Sequence, residues 1–125
     1  MNIILYNTMT SKKEEFKPIV EGKVGMYVCG VTVYDYTHIG HGRSSVAFDV
    51  IRRFFEYKGY DVTFVKNFTD VDDKIINRAN ENHELWSELS ERFIKEHDAD
   101  MASLYIKSPT YTPMATKYIE KMIDY

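Results

Sequence analysis

Cys29-Gly30-Val31-Thr32-Val33-Tyr34-Asp35-Tyr36-Thr37-His38-Ile39-Gly40-His41 contains the chain's only cysteine, two of its four histidines and two of its six glycines. The segment before it, Gly25-Met26-Tyr27-Val28-Cys29, is continuously apolar enough for a strand buried on both faces, as in a parallel sheet. After it, Val46, Ala47, Val50, Ile51, Phe54 and Tyr57 recur on one helical face. This spacing predicts a helix from near His41 to Gly59, a C′ glycine. Asp61 to Phe68 then alternates like a strand. Strand, helix and strand in that order make a right-handed parallel βαβ unit, so the fold class is α/β.

Outside this unit the signals are more local. Ile3-Ile4-Leu5-Tyr6 suits a short strand, and Thr10 to Phe16 reads as a polar turn or a single helical turn. Asp70 and Asp73 stand as cap and third residue of a helix carrying Ile75, Ile76 and Ala79. Leu85, Leu89, Phe93, His97 and Met101, spaced by four, mark a longer amphipathic helix ending near Leu104 or Tyr105, with Trp86 in the core. Thr112-Pro113 reads as the start of a last helix with Met114, Ala115, Tyr118, Ile119, Met122 and Ile123 on its apolar side. The helical pattern is still running at Tyr125, so residues 1–125 are expected to be an incomplete portion of one domain.

With 125 residues, 44% hydrophobic, the chain is long enough for one modest core. A net charge of −3 excludes a generally basic surface but not a local patch for a structured RNA. There is no apolar run of the ~20 residues a membrane span needs and no basic-then-apolar leader at the N-terminus, so a cytoplasmic setting with no membrane partner is expected. One cysteine allows no intramolecular disulfide.

In open parallel α/β sheets, ligands sit at the carboxyl ends of strands, where the next helix presents its N-terminus. Three segments reach that edge: Cys29, His38-Ile39-Gly40-His41, and Thr69-Asp70. Taken singly, the histidines read first as surface or capping groups, Cys29 as a small core hydrophobe, and Thr69-Asp70 as a strand end and helix cap. A histidine metal pair is a weaker rival, because the spacing has no accompanying carboxylate or further Cys/His. Together, two imidazoles at a helix N-terminus can face phosphate, and Gly40 leaves room for a flat base against backbone. Arg43, Arg52, Arg53 and Lys58 are assigned to a solvated face.

Tyr27-Val28-Cys29-Gly30-Val31-Thr32-Val33-Tyr34-Asp35, His38-Ile39-Gly40-His41-Gly42-Arg43 and Asn67-Phe68-Thr69-Asp70-Val71-Asp72-Asp73-Lys74-Ile75-Ile76, in this order, closely resemble the N-terminal part of the cysteinyl-tRNA synthetase family, class I aminoacyl-tRNA synthetases. The resemblance extends over essentially the whole chain. It implies a Rossmann-like, HUP-type catalytic domain that activates L-cysteine with ATP and Mg2+ as cysteinyl adenylate and transfers it to tRNA-Cys. It further implies that His38, Gly40 and His41 hold ATP, the two histidines acting catalytically, and that Gly30, Thr32 and Thr69 lie against the amino acid. Cys29 is implied as one ligand of a Zn2+ that takes the substrate thiolate. Such a metal suits the discrimination required, because shape alone separates cysteine from serine by about 1–3 kcal/mol, whereas a soft thiolate prefers zinc strongly.

Thr37 stands where the family often has cysteine, and neither a Lys-Met-Ser-Lys-Ser loop nor further zinc ligands follow. The expectation is therefore a fragment that is inactive alone and exposes an apolar face through which it self-associates. Two alternatives stand beside this reading: a ligase joining cysteine to an amino sugar, and a non-catalytic half-domain that binds nucleotide or a partner.

Overall fold

A computed structural model describes residues 2–125. Strands β1 (Ile4–Asn7) and β2 (Lys12–Glu15) form an antiparallel hairpin. The polar stretch expected to be a turn or helical turn is thus mostly a strand. Its turn is set locally: the Asn7 side-chain oxygen accepts from the Met9 N–H, and Ser11 takes a left-handed φ of 55°. Pairing with β1 gives the backbone of β2 partners that an isolated helical turn would lack.

The predicted crossover is present. Strand β3 (Lys23–Val28) leads to helix α1 (Ile39–Tyr57), which returns to strand β4 (Asp61–Lys66), parallel to β3 with Lys23 opposite Asp61 and Val28 opposite Lys66. Gly59, at φ 88°, closes α1 as expected: its N–H donates to Glu56 O, and the Tyr60 N–H donates to Phe55 O. The Phe55 and Tyr60 rings meet edge-on at 5.7 Å and share Phe16 as a third neighbour.

Helices α2 (Asp73–Asn82) and α3 (Trp86–Ser103) follow, then a 3-10 turn (Ala115–Lys117) and a short α4 (Ile119–Ile123). The cap of α2 is Asp72, whose side chain accepts from the Lys74 N–H, and not Asp70. Asp70 is buried and binds Thr116 through both its N–H and its hydroxyl, tying the end of the sheet to the 3-10 turn. Thr112-Pro113 does not open a helix. Residues 110–114 run extended and parallel beside β4, with bridges from Val65 to Tyr111 and from Phe68 to Met114. Backbone pairing there outweighs the local cap-and-proline signal, and the α-helix is delayed to Ile119, after the 3-10 turn.

The core is Val33, Phe68, Ile75, Ala79, Leu89 and Phe93, with Val31, Tyr34 and Ile94 packed on it. It lies directly beneath the loop that follows β3. The spacing-by-four of α3 is realised in buried Leu89, Phe93, His97 and Met101, whereas Leu85 and Trp86 at its start are exposed.

Two burial expectations fail together. In β3 only Val24 is buried, and the α1 face carrying Val46, Val50, Phe54 and Tyr57 is exposed, Tyr57 at 83%. The inward face of α1 holds Gly42, Ser45, Asp49 and Phe55 instead. Its polar groups are engaged. Asp49 accepts from the Lys107 N–H and pairs with Arg53 at 2.6 Å, while Arg53 and Arg52 donate to the carbonyls of Tyr105 and Ser108. Arg52 and Arg53 therefore clip the segment after α3 onto α1 rather than forming a solvated face. Among the described residues, no helix is long and apolar enough to cross a membrane.

Candidate functional site

His38 is the N-cap of α1, with extended backbone (φ −122°, ψ 171°). Its Nδ1 accepts from the Gly40 N–H at 3.1 Å, and Nδ1 of His41 accepts from the His38 N–H at 3.3 Å. This is a capping box built from two imidazoles. Both Nδ1 atoms act as acceptors, so each neutral ring carries its proton on Nε2. The rings stack at 3.9 Å, 24° apart. Gly40 is required locally: a Cβ there would stand 2.8 Å from the His38 ring and prevent it from folding back over the helix start.

Gly30 marks the closest approach of the two strand ends. A Cβ at this position would lie 1.4 Å from the Asn67 carbonyl oxygen. The Asn67 side-chain oxygen accepts from the Gly30 N–H at 2.8 Å and from the Tyr27 hydroxyl at 2.9 Å. Past the strands the pairing continues: the Thr69 N–H donates to Val31 O, the Val33 N–H donates to Thr69 O, and Thr32 bridges Thr69. Thr37 donates to Asp100, fixing the approach to His38 on the end of α3.

These elements enclose a cleft of about 460 Å3 lined by Cys29, Gly30, Thr32, His38 and His41 among others. Gly40 and Thr69 support its walls without lining it: Gly40 lies behind His38, and Thr69 behind Thr32. The cleft also takes in Lys66, His97, Asp98 and Ser45, which sequence reasoning did not place there. His97 was legible only as one of the buried positions of α3, and Lys66 only as the polar end of a strand. Lys66 donates to Ser45 at 3.0 Å. His97 is 5% exposed, with Nδ1 3.4 Å from Asp98 and no partner for Nε2.

Cys29 lies just beyond β3, exposed at the cleft wall. Among the described residues, no group of three or more His, Cys, Asp or Glu comes together to hold a metal ion. A single soft donor does not make a zinc site, which needs three or four ligands.

Charge on the cleft floor is self-opposing. Burial, then His38, then Lys66 push His41 below the usual histidine range, and burial followed by Lys66 does the same to His97 against the opposing pull of Asp98. Burial lowers Lys66 as well. A histidine with a depressed folded pKa binds fewer protons folded than unfolded. Its cost is absent above the unfolded value of about 6.5 and grows as pH falls from there toward the folded value. Melting temperature is therefore expected to fall on acidification from pH 7.5 to 5.5, before carboxylates titrate. A flat profile over that window would contradict the depressed pKa of the buried His97 and the partly buried His41.

A parallel crossover whose helix opens on paired imidazoles at the carboxyl edge of the sheet defines a Rossmann-like α/β unit. A family model described as the tRNA synthetases class I (C) catalytic domain matches residues 15–125, and the chain belongs to that family. It is 57% identical over 124 residues to a cysteine–tRNA ligase of Geobacter metallireducens, covering 99% of this chain and 26% of the relative. It is 61% identical over 119 residues to the cysteine–tRNA ligase of Vibrio cholerae, covering 95% of this chain and again 26% of the relative. The chain thus spans about a quarter of the length of these relatives. A Mycobacterium tuberculosis methionyl-tRNA synthetase in complex with methionyl-adenylate superposes with a TM-score of 0.60 at 25% identity, over 66% of this chain and 17% of that one.

Proposed function

We propose that residues 1–125 are the N-terminal portion of the catalytic domain of a cysteine-activating, tRNA-aminoacylating ligase, and that the cleft holds ATP and L-cysteine. The observation that carries this reading is the imidazole capping box, which leaves two Nε2–H donors beside a helix N-terminus. In the adenylation step a carboxylate oxygen of cysteine attacks the α-phosphorus of ATP. The bond to pyrophosphate breaks, and negative charge grows on the phosphate oxygens. Nε2–H of His38 and His41 would stabilise that charge as fixed neutral donors, with Mg2+ carried by the nucleotide.

Gly30 and Thr32, with Thr69 behind them, would form the amino-acid side of the cleft. Cys29 would supply one zinc ligand, its companions coming from a longer chain. The exposed apolar stripe of α1 supports self-association of this portion when it stands alone. A cytoplasmic setting and tRNA-Cys as acceptor belong to the same reading.

A chimera tests it. Residues 1–125 would replace the corresponding quarter of the Vibrio cholerae relative, and cysteine-dependent exchange of pyrophosphate into ATP would be measured. Exchange is expected to survive the replacement and to fall by about 10²–10³-fold in His38→Ala, the range for losing one transition-state donor. A chimera that folds but shows no exchange, or a His38→Ala variant as active as its parent, would overturn the reading. The 125-residue chain alone is expected not to aminoacylate tRNA.

A further inference from the structure

His41 can cap the helix only while its Nδ1 is unprotonated, because that atom accepts the His38 N–H. Its neighbours bear on that condition. Ser45 lies one turn further along α1 on the same face, and its hydroxyl anchors the Lys66 ammonium at 3.0 Å. Lys66 takes part in none of the ion pairs among the described residues, so its charge is not cancelled by direct contact. The other titratable or charged groups lining the cleft are His38 from the helix start, His97 and Asp98 from α3, Cys29, Tyr34, Asp35 and Tyr36 from the loop after β3, and Lys74 and Lys107.

We propose that Lys66 is a positioning residue for His41: its ammonium, held on Ser45, opposes protonation of the imidazole and so preserves the unprotonated Nδ1 that accepts the His38 N–H, holding the ring in the capping pose whose Nε2–H serves a phosphate oxygen. The last clause rests on the nucleotide reading above; the control of protonation does not. A doubly protonated His41 would lose its bond to the His38 N–H and would stack one cation on the neighbouring imidazole. The strand end thus acts on the helix start through one neutral hydroxyl. Depression of the His41 pKa by Lys66, after burial and His38, agrees with this geometry.

The test uses the 125-residue chain with ¹⁵N-labelled histidine, reading the tautomer and titration midpoint of His41 by NMR. The native ring is expected to carry its neutral proton on Nε2. Lys66→Met should shift the His41 midpoint upward, whereas Lys66→Arg, which keeps the charge, should leave it near the native value. If Lys66→Met does not fold, Ser45→Ala, which removes only the anchor, should give an upward shift in the same sense. A midpoint unmoved by the charge-removing variant, or a native neutral proton on Nδ1, would overturn the proposal. Inorganic pyrophosphate then separates the two readings. If it perturbs the amides of Ile39 to Arg43 while the His41 midpoint ignores Lys66, the positioning role falls and the nucleotide reading stands. If the midpoint follows Lys66 and pyrophosphate leaves those amides unmoved, the positioning role stands and the nucleotide reading loses its support.

Discussion

Gly30→Ala is expected to destabilise the chain by about 3 kcal/mol or more, at or beyond the upper end of ordinary overpacking penalties. The added Cβ would meet a backbone carbonyl, Asn67 O, at 1.4 Å, and no rotamer change can relieve a clash with main chain. Relief requires the ends of β3 and β4 to separate. That breaks the Gly30 N–H bond to the Asn67 side chain and strains the pairing of Val31 and Val33 with Thr69. For a domain of this size the melting temperature should fall by about 10 °C or more. Gly25→Ala, within β3 with nothing inside 4 Å of the new methyl group, is the matched control and should be nearly neutral. Equal melting temperatures for the two variants would show that the strand ends are not in the described contact. The site should suffer with the fold, because Gly30 and Thr32 line the cleft.

Leu89→Ala is expected to cost about 2–5 kcal/mol, the range for emptying a fully buried aliphatic site. Leu89 is 0% exposed in the core that also holds Val33, Phe68, Ile75, Ala79 and Phe93. That core carries the loop between β3 and His38, so a void there should loosen the cleft wall as well as lower stability. Leu85→Ala, four residues earlier on an exposed cap, should change stability by less than about 0.5 kcal/mol. Urea denaturation of both variants checks the contrast. Similar midpoints would mean that the buried stripe of α3 does not begin at Leu89.

The comparison of Leu85 with Leu89 shows where sequence periodicity stops being informative. Spacing by four identified α3 and four of its buried positions, but it could not say which end of the stripe faces the core. The same limit is sharper in α1. Val46, Val50, Phe54 and Tyr57 make a continuous apolar stripe, yet the helix turns Ser45 and Asp49 inward. Asp49 bonds the Lys107 N–H and Ser45 receives Lys66, and these partners lie 58 and 21 residues away. An amphipathic pattern shows that a helix has two faces. Which one is covered in this portion depends on what else is present to cover it.

Local chemistry was read with more success. Gly59 closes α1 by the left-handed geometry its position suggested, and His38 opens it. Surface or capping groups were the plain reading of the two histidines, and the structure shows the capping: Nδ1 of each ring serves the helix start, leaving Nε2 outside the cap. Asp70 failed as a helix cap because Asp72, two residues on, was as good locally. Asp70 instead took Thr116, a partner no local rule could name. Thr112-Pro113 failed because strand pairing with β4 offered its backbone more than a helix start would.

By itself, then, the sequence determined the βαβ crossover, the helix that opens near His41 and ends before Gly59, and membership of the synthetase family through three ordered blocks. These depend on residues near one another in the chain, where backbone preferences, capping and period act directly. Only the tertiary structure decided that Gly30 is pressed against Asn67, that α1 turns Ser45 and Asp49 inward, and that Lys66 reaches Ser45 in a cleft it shares with His41 and His97. Those outcomes are set by contacts between distant segments, whose free energy depends on which surfaces the assembled elements bring together.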